Sequence, residues 1–482
     1  MENRPDPVLS TSPPEAWPPA RKAAQAIFRP IEKFLHVEAA SGILLLIAAA
    51  AALAWANSSW AESYSHLWHT PLSIGIGEWS MERDLHFWIN ELLMTAFFLL
   101  VGLEIKREMV HGALSDLRSA ALPIAAAIGG MAVPAGIYFA MTGSGTGSEG
   151  WGVPMATDIA FAVGVLTILG KRVHPALRIL LLAFAIIDDI GAILVIATFY
   201  SSGIAVQGLL VAAGGLILAL LMLGIGVRPG PVFTLPLLVM WAGLYQAGIH
   251  PTIAGVVLGL VTPVRPWYGR EGFLNRARAA LDDFQERIAA GEDDHELLQP
   301  LGQIQAAGRE AVSAGVRGEA ALHPWVAFGI MPLFALANAG VNLGGVDFAE
   351  PGAPMVFTGI ALGLLIGKPA GVLLASWIVV KARLAVLAQG VTWGGMLVVG
   401  IAAAIGFTMA IFISELAFSD PDLLAVGKLG VLAATAIAGA GALLLGHVLL
   451  PREQPAEVAG VSESAMEMAV VWTGETKRTR DD

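Results

Sequence analysis

Long apolar segments recur along nearly the whole chain, and they limit the fold more than any other feature. An α-helix needs about 20 apolar residues to cross a hydrocarbon core of about 30 Å. The chain is 56% hydrophobic and 14% charged. The apolar runs of spanning or near-spanning length are 37–56, 86–104, 119–142, 152–170, 176–199, 204–226, 231–246, 250–263, 323–343, 355–380, 395–417 and 424–450. They predict an all-α polytopic membrane protein with about 12 transmembrane helices, of which the seventh and eighth are short.

The positive charges predict the orientation of these helices. With twelve spans, 25 of the 28 Lys and Arg residues fall on one face of the membrane. Arg83 and Lys428 fall on the opposite face, and Lys368 lies within a span. Because Lys and Arg are enriched in cytoplasmic loops, we expect both termini to be cytoplasmic. If one helix had been missed, the Lys and Arg residues would be divided between the two faces. The asymmetry therefore also favours the count of twelve.

Three segments are expected to lie outside the transmembrane domain of residues 37–450. Residues 1–36 read as a cytoplasmic tail without a signal peptide, and residues 451–482 as a disordered cytoplasmic tail. Residues 264–322 form a cytoplasmic insertion in which apolar residues at helical spacing predict one or two amphipathic helices.

A short hairpin is predicted near residues 70–82, between the first two spans. It is either a structured loop or an edge that pairs with a second copy of the chain in a homodimer. The net charge of −11 lies mainly in the tails and one loop, which gives no indication of a nucleic-acid partner. The chain has no cysteine, which excludes disulfides, thiolate metal sites and thiol catalysis.

Two adjacent aspartates, Asp188 and Asp189, lie near the middle of the fifth span. A single central Asp costs at least about 2.5–3.5 kcal/mol on insertion scales, so the pair needs a cation, protons or a partner. Successive helical residues point about 100° apart, so one carboxylate can face a cavity while the other meets a neighbouring helix.

Lys368 is a candidate partner, since it is the one Lys or Arg in the middle of a span. Pro369 follows it, and Gly367 and Gly371 flank it and loosen the helix. The alternative is a structural ion pair that only neutralises buried charge. One lysine cannot neutralise both aspartates.

The fourth and eleventh spans are predicted to be discontinuous helices. In the fourth, Thr157 and Asp158 follow Pro154, which removes a backbone donor; in the eleventh, Gly406 precedes Thr408. Two interrupted helices in corresponding halves are typical of a transporter core. The alternative is that Asp158 only caps a helix end. "AAIGGMAVPAG" resembles "LLIGKPAG", which suggests inverted-topology repeats formed by helices 3–5 and 10–12.

Six stretches of the sequence carry a resemblance to a known family. They read "FFLLVGLEIKRE", "ATDIAFAVGVL", "FAIIDDIGAI", "LANAGV", "LLIGKPAG" and "IGFTMAIFI". Together they resemble the NhaA-type bacterial sodium/proton antiporters, over about residues 36–450 apart from the insertion. Inverted repeats are a known property of that family, so the resemblance and the repeat are not independent.

The resemblance implies a secondary active transporter, not an enzyme. It would export Na⁺ or Li⁺ across the bacterial inner membrane in exchange for a larger number of protons, under pH regulation. No cofactor is implied. The resemblance makes Asp188 and Asp189 the ion-binding and proton-carrying pair, with Lys368 paired to Asp188 and with Thr157 and Asp158 at the helix crossing. The positions linked to pH response and the cation funnel are Glu104, Glu108, Glu319 and His250.

Departures from the family pattern concern the pH response more than the transport reaction. Glu91 stands where some members carry Asp, and Ala320 replaces a histidine found in some relatives. His250 can also be read as a polar anchor at a helix start.

Three other functions share parts of this pattern. An intramembrane aspartyl protease needs two aspartates on separate helices, and Asp188 and Asp189 are adjacent. In a cation channel, a buried lysine would repel the conducted ion. A sodium-coupled solute symporter is the nearest alternative, because broken helices serve both kinds of transporter.

Overall fold

The computed structural model describes residues 38–76, 79–112, 114–201, 203, 205–227 and 230–451. The two predicted tails lie outside the described residues, apart from Pro451.

Helices long and apolar enough to cross a bilayer account for about half of the described chain. Eight segments have this length and composition. They are α3 (Leu85–His111), α4 (Leu117–Thr142), Ser148–Arg172 with α5 (Ile159–Leu169), α6 (Pro175–Phe199), α7 (Val206–Gly224), α12 (Ala314–Asn338), α13 (Ala353–Lys381) and α16 (Pro421–Leu449). The prediction of an all-α polytopic membrane protein is confirmed.

Two further candidate spans are pairs of helices that meet at a bend. The segment Ala40–Ala56 of α1 (Glu38–Ala56) meets α2 (Ala61–Trp68) at 116°, and α14 (Trp393–Ala403) meets α15 (Phe407–Ala417) at 46°. With them the described residues hold up to ten spans. α8 (Thr234–Ala247) and α9 (Ile253–Val261) occupy the positions of the short seventh and eighth spans. The count of twelve stays a prediction.

The segments that suggested the internal repeat pack against each other. A Cβ added at Gly129 of α4 would lie 2.2 Å from the Gly371 carbonyl oxygen of α13, and one at Gly371 would lie 2.0 Å from the Gly129 oxygen. Only glycine permits the two backbones to approach this closely. In a membrane, the hydrophobic effect does not drive helices together, so close packing at small residues contributes much of the stability. The close contact fixes α13, and therefore Lys368, against the core of the domain.

A π-helical stretch precedes Lys368. Within α13, residues Gly363–Gly367 form π turns, and Pro369 removes a backbone donor directly after the lysine. Such wide turns are frequent at functional positions of helices. The irregularity predicted from Gly367 and Pro369 therefore lies directly beside the buried ammonium.

The predicted hairpin is formed by β1 (Pro71–Ile76) and β2 (Trp79–Asp84). The strands are antiparallel, with Pro71 opposite Asp84. Asp84 ends β2 and caps α3 by accepting a hydrogen bond from the Phe87 amide at 2.9 Å. We call this end of the transmembrane domain the hairpin side.

The insertion range contains two helices and lies at the other end of the domain. α10 (Gly269–Ala290) and α11 (Asp294–Ala311) pack against each other. They follow α9, which runs in the same direction as α3, since Gly255 lies beside Thr95 and Gly259 beside Gly102. We call this end the insertion side. α12 begins at Ala314, within the range predicted for the insertion.

Candidate functional site

Asp158 lies where two breaks in helical conformation meet, at a contact that we call the crossing. A 3₁₀ segment ends at Met155, the backbone is extended at Ala156 and Asp158, and α5 begins at Ile159. Across from it, the chain leaves helical conformation between Ala403 and Phe407. The two breaks hydrogen-bond to each other: Asp158 N donates to Ile405 O at 2.7 Å, and Thr157 Oγ1 donates to Ala403 O at 3.0 Å.

The Asp158 carboxylate caps both half-helices that begin at this crossing. It accepts from Phe161 N of α5 at 3.0 Å and from Thr408 N of α15 at 3.2 Å, and Thr408 Oγ1 also donates to it. The first amides of a helix lack intrahelical partners and carry a partial positive charge. One buried anion therefore stabilises two helix N-termini. Thr435 adds a further cap, because its hydroxyl accepts from Phe407 N at 3.2 Å.

Lys368 joins the crossing to the aspartate pair. Its Nζ lies 2.8 Å from Asp188 Oδ2 and also donates to the Met155 carbonyl oxygen. The side chains of Lys368 and Asp188 are 0% and 1% exposed. A buried ammonium and carboxylate at this distance stabilise each other's charged forms. The Asp188 Oδ1 atom has no hydrogen-bond partner among the described residues.

Asp189 is buried but differs from Asp188 in its partners. It is 2% exposed, and within the described ranges it makes no hydrogen bond or ion pair. Asp188, Glu104 and Asp158 repel its charge, while Lys368 attracts it. An isolated carboxylate in such a place is costly unless a proton or a cation neutralises it. The arrangement therefore supplies an oxygen site that requires a small positive charge.

The path from Asp189 towards the hairpin side is closed by apolar side chains. Ile193 and Ile196 continue along α6 from Asp189, and they meet Phe98 of α3 and Val256 of α9. No water-sized space is left between these groups. The route that runs along α6 from Asp189 past these side chains is therefore closed to water in this structure.

Three of the predicted regulatory glutamates lie near the insertion side. Arg107 forms an ion pair with Glu319 and lies 3.4 Å from Glu108 Oε1. Glu104 is near enough to interact electrostatically with Glu319 and Arg107. These three glutamates thus share one arginine, at the end of α3 and the start of α12.

His250 lies apart from those glutamates, in the turn between α8 and α9. Its Nε2 is 2.7 Å from the Tyr200 carbonyl oxygen, and its Nδ1 is 3.9 Å from Glu91 Oε1. Glu91 lies near the beginning of α3, towards the hairpin side. The structure therefore separates the four predicted regulatory positions into two groups at different depths.

No group of three or more His, Cys, Asp or Glu side chains is arranged to hold a metal ion in the part of the chain that the structure describes.

Comparison with known proteins identifies the family. The model of the family described as Na⁺/H⁺ antiporter 1 matches residues 32–445. The chain belongs to this family. It is 56% identical over 457 residues to "Na(+)/H(+) antiporter NhaA 2" of Sorangium cellulosum (95% of this chain, 98% of that protein). It is 53% identical over 471 residues to "Na(+)/H(+) antiporter NhaA 2" of Myxococcus xanthus (98% and 100%) and 50% identical over 448 residues to "Na(+)/H(+) antiporter NhaA" of Janthinobacterium sp. (93% and 99%).

A second polar cluster in this Na⁺/H⁺ antiporter 1 family member was not identified from the sequence. His86, Asn90, Asn338, Glu415 and Lys428 converge on the hairpin side. Each reads in the sequence as an ordinary polar residue near the end of a span. Their shared signal is weak, because they lie on four helices from three separate parts of the chain. The capping role of Thr435 was missed for the same reason.

Proposed function

We propose that this chain is an electrogenic secondary antiporter that exports Na⁺ and Li⁺ in exchange for entering protons, under pH regulation. We place it in the bacterial inner membrane with both termini and the insertion cytoplasmic, which makes the hairpin side periplasmic. The observation that carries the proposal is Asp189, buried without a partner in the described residues and next to the Asp188–Lys368 pair. Family membership agrees with this reading.

Asp189 and Asp188 provide hard oxygen ligands for Na⁺ or Li⁺. Carboxylate and carbonyl oxygens suit such cations better than nitrogen does. The extended backbone at Ala156–Asp158 is one source of carbonyl oxygen near the pair, since Met155 O already accepts from Lys368. The same carboxylates hold protons when no cation is bound.

Exchange then follows from competition for one site. A cation that binds displaces a proton from Asp189, and a proton that binds displaces the cation. An empty, fully charged Asp189 is unfavourable because three acidic groups repel it. If only the neutralised site crosses the barrier, each cation moved requires protons to move the other way. Lys368 is a further group that can release a proton when Asp188 binds the cation in its place. More protons than cations can then move in each cycle.

Reconstitution of the purified chain in liposomes tests the proposal. A Na⁺ or Li⁺ gradient should drive proton movement, reported by a pH-sensitive dye, and choline should not. Clamping the membrane potential with K⁺ and valinomycin should speed the exchange if it is electrogenic. Proton movement that is independent of Na⁺ and Li⁺, or that requires a co-transported solute, would contradict antiport.

We further propose that Glu104, Glu108, Glu319 and His250 set the pH response. Arg107 holds two of the glutamates on the side from which the cation enters. His250 faces Glu91 through Nδ1. Protonation at Nδ1 would create an ion pair with Glu91, and we assign that pair to the acid, inactive form.

The His250→Gln variant should therefore remain active at lower pH than the wild type. Glutamine can still donate to Tyr200 O, but it cannot form an ion pair with Glu91. The loss of an exposed or half-buried pair is worth a fraction of 1 kcal/mol, so the activation midpoint should shift by about half a pH unit. The measurement is the exchange rate across a pH series. His447→Gln, at the exposed end of α16, is the matched control.

An unchanged profile in His250→Gln would assign His250 to a structural role at the start of α9. A shift of the same size in His447→Gln would show that the effect is not specific to the Glu91 contact.

The hairpin is proposed to pair with a second copy of the chain in a homodimer. Leu72 and Ile74 of β1 are exposed (43% and 44%), and β1 and β2 are the only strands among the described residues, so each has a free edge. Exposed strand edges are templates for pairing between chains. Removal of the strand residues should change the oligomeric state in detergent and leave the ion-binding residues in place.

A further inference from the structure

The cluster on the hairpin side connects helices that belong to different parts of the domain. His86 and Asn90 lie on α3, Asn338 ends α12, Glu415 lies near the end of α15, and Lys428 lies on α16. His86 Nε2 is 2.8 Å from Asn338 Oδ1 and 3.5 Å from Glu415 Oε1. Lys428 forms an ion pair with the same Glu415 oxygen. The contact therefore joins α3 and α12 to α15 and α16.

These two pairs of helices pack mainly with different neighbours. α3 packs most extensively against α9 and also against the first part of α12. α15 and α16 pack against each other, and α16 also packs against α13 and α14. The Asp189 helix, α6, contacts α3 of the first pair and α14, which packs on α16 of the second pair. A relative movement of the two pairs would change the packing around α6, and the His86–Glu415 contact joins the two pairs.

The closed path above Asp189 depends on the same helices. Phe98 of α3 lines the narrow space beside Ile196 and also packs on Phe412 of α15, with the ring centres 5.5 Å apart. Phe412 is one helical turn before Glu415, so both residues move with α15. Phe334 of α12 packs on the same ring at 6.2 Å. Separation of His86 from Glu415 would therefore loosen the apolar seal.

The charge on His86 determines how strongly this contact holds. With the hydrogen on Nε2, the ring donates to Asn338 Oδ1 at 2.8 Å, and the Asn90 amide nitrogen lies 3.4 Å from the same ring atom. Protonation at the other ring nitrogen turns the Glu415 contact into an ion pair. The other charged or titratable groups around the ring are Lys428, which already pairs with Glu415, His69 of the segment after α2, whose ring stacks at 6.4 Å, and Asp84, which caps α3.

We propose that His86 and Glu415 form a latch that holds the hairpin side closed, and that protonation of His86 strengthens the latch. The latch biases the equilibrium between the closed and open forms of the hairpin side without touching the transported ion. Acidification on the hairpin side would favour the closed form. This inference rests on the proposed function for its physiological meaning, whereas the structural claim concerns only access to Asp189.

A cysteine reporter tests the latch directly, because the chain contains no cysteine of its own. Ile196→Cys places a thiol in the closed space above Asp189, where Ile196 is 1% exposed. A negatively charged, membrane-impermeant methanethiosulfonate is added from the hairpin side to the reconstituted chain, and the labelling rate is measured. Adding His86→Gln or Glu415→Gln should raise the rate about five-fold or more, which corresponds to the low end of typical coupling between sites. The double variant should label no faster than the faster single variant.

His66→Gln, an exposed histidine on α2, is the matched control and should leave the rate unchanged. Equal labelling in the wild-type and latch variants, or additive increases in the double variant, would overturn the latch. If a glutamine variant elutes as an aggregate, His86→Asn and Glu415→Asp replace it, because their shorter side chains also break the contact between the two residues. The same increase in labelling rate is then expected.

The pH arm tests the protonation of His86. After correction for the reactivity of a free thiol, the Ile196→Cys chain should label more slowly at pH about 6 than at about 8, the range across which histidine changes charge. His86→Gln should remove that difference. A difference that survives in His86→Gln would overturn the protonation step. Labelling requires no transport, so a chain that responds in this assay and fails to exchange ions would refute the proposed function and retain the latch.

Discussion

Asp189→Asn should abolish cation-driven proton movement and leave the fold intact. The amide has nearly the shape of the carboxylate, but it carries no charge and cannot release a proton. Loss of a buried charge partner is worth about 3 kcal/mol, and each 1.4 kcal/mol is tenfold, so we expect a rate of about 1% of the wild type or less. The measurement is Na⁺-dependent dye response in liposomes. Asp422→Asn, in the exposed first turn of α16, should retain the wild-type rate.

The stability of the Asp189→Asn chain is part of this prediction. Asp189 makes no ion pair or hydrogen bond within the described ranges, so its neutralisation removes no partner and relieves repulsion. Thermal unfolding should occur at the same temperature as in the wild type or higher. A folded Asp189→Asn chain that still exchanges Na⁺ for protons would show that Asp189 is not the shared site.

Lys368→Gln should have the second-largest effect, and it should act on stability as well as on transport. The substitution leaves Asp188 buried without its cation and removes the donor to Met155 O. Breaking a buried pair by removing one partner costs about 3–5 kcal/mol. We expect a clear fall in the unfolding temperature and a loss of electrogenic exchange, measured by the response of the rate to membrane potential.

The double variant Asp188→Asn, Lys368→Gln separates the two effects of Lys368. It removes both charges, so most of the lost stability should return, because replacing a buried pair together is much less costly than breaking it. If transport in the double variant stays electrogenic, Lys368 has only a structural role. If stability does not return, the contact with Met155 O at the helix crossing matters more than the ion pair.

The sequence was sufficient to predict the parts of the fold that the bilayer dictates. Apolar length predicts the spans, and the cost of charge in lipid singles out Asp158, Asp188, Asp189 and Lys368. Lys368 was predicted to meet an aspartate because a lone cation within a span needs a counter-charge, and the structure places it 2.8 Å from Asp188. These inferences use only the free-energy cost of placing a charge in the membrane, so they require no knowledge of which helices are in contact.

The parts that depend on contacts between distant helices could not be predicted in the same way. The 116° bend after Ala56 has no proline or charge to mark it. The Thr408 hydroxyl stands out in the sequence, but the sequence does not indicate its partner. In the structure, Asp158 caps α15 through Thr408 in addition to capping α5. His86 and Glu415 each lie near the end of a span, where polar residues are ordinary, so only the packed structure reveals that they meet.

The separation of His250 from Glu104, Glu108 and Glu319 has the same origin. A shared role in pH response was implied by resemblance, and resemblance carries no information on distance. The packing of α9 along α3 places His250 near Glu91 instead, at the other end of α3 from Arg107. The proposed pH response would therefore have two separable components, one from each end of the helix.

The most direct test of the central claim, that Na⁺ and protons compete for Asp189, is proton release on cation binding. Na⁺ is added to the purified chain in weakly buffered detergent solution near neutral pH, and a pH indicator counts the protons released as calorimetry counts the cations bound. The wild type should release at least one proton for each Na⁺ bound, and Asp189→Asn should bind no Na⁺ and release no protons. Binding of Na⁺ without proton release, or equal release from Asp189→Asn, would contradict the account.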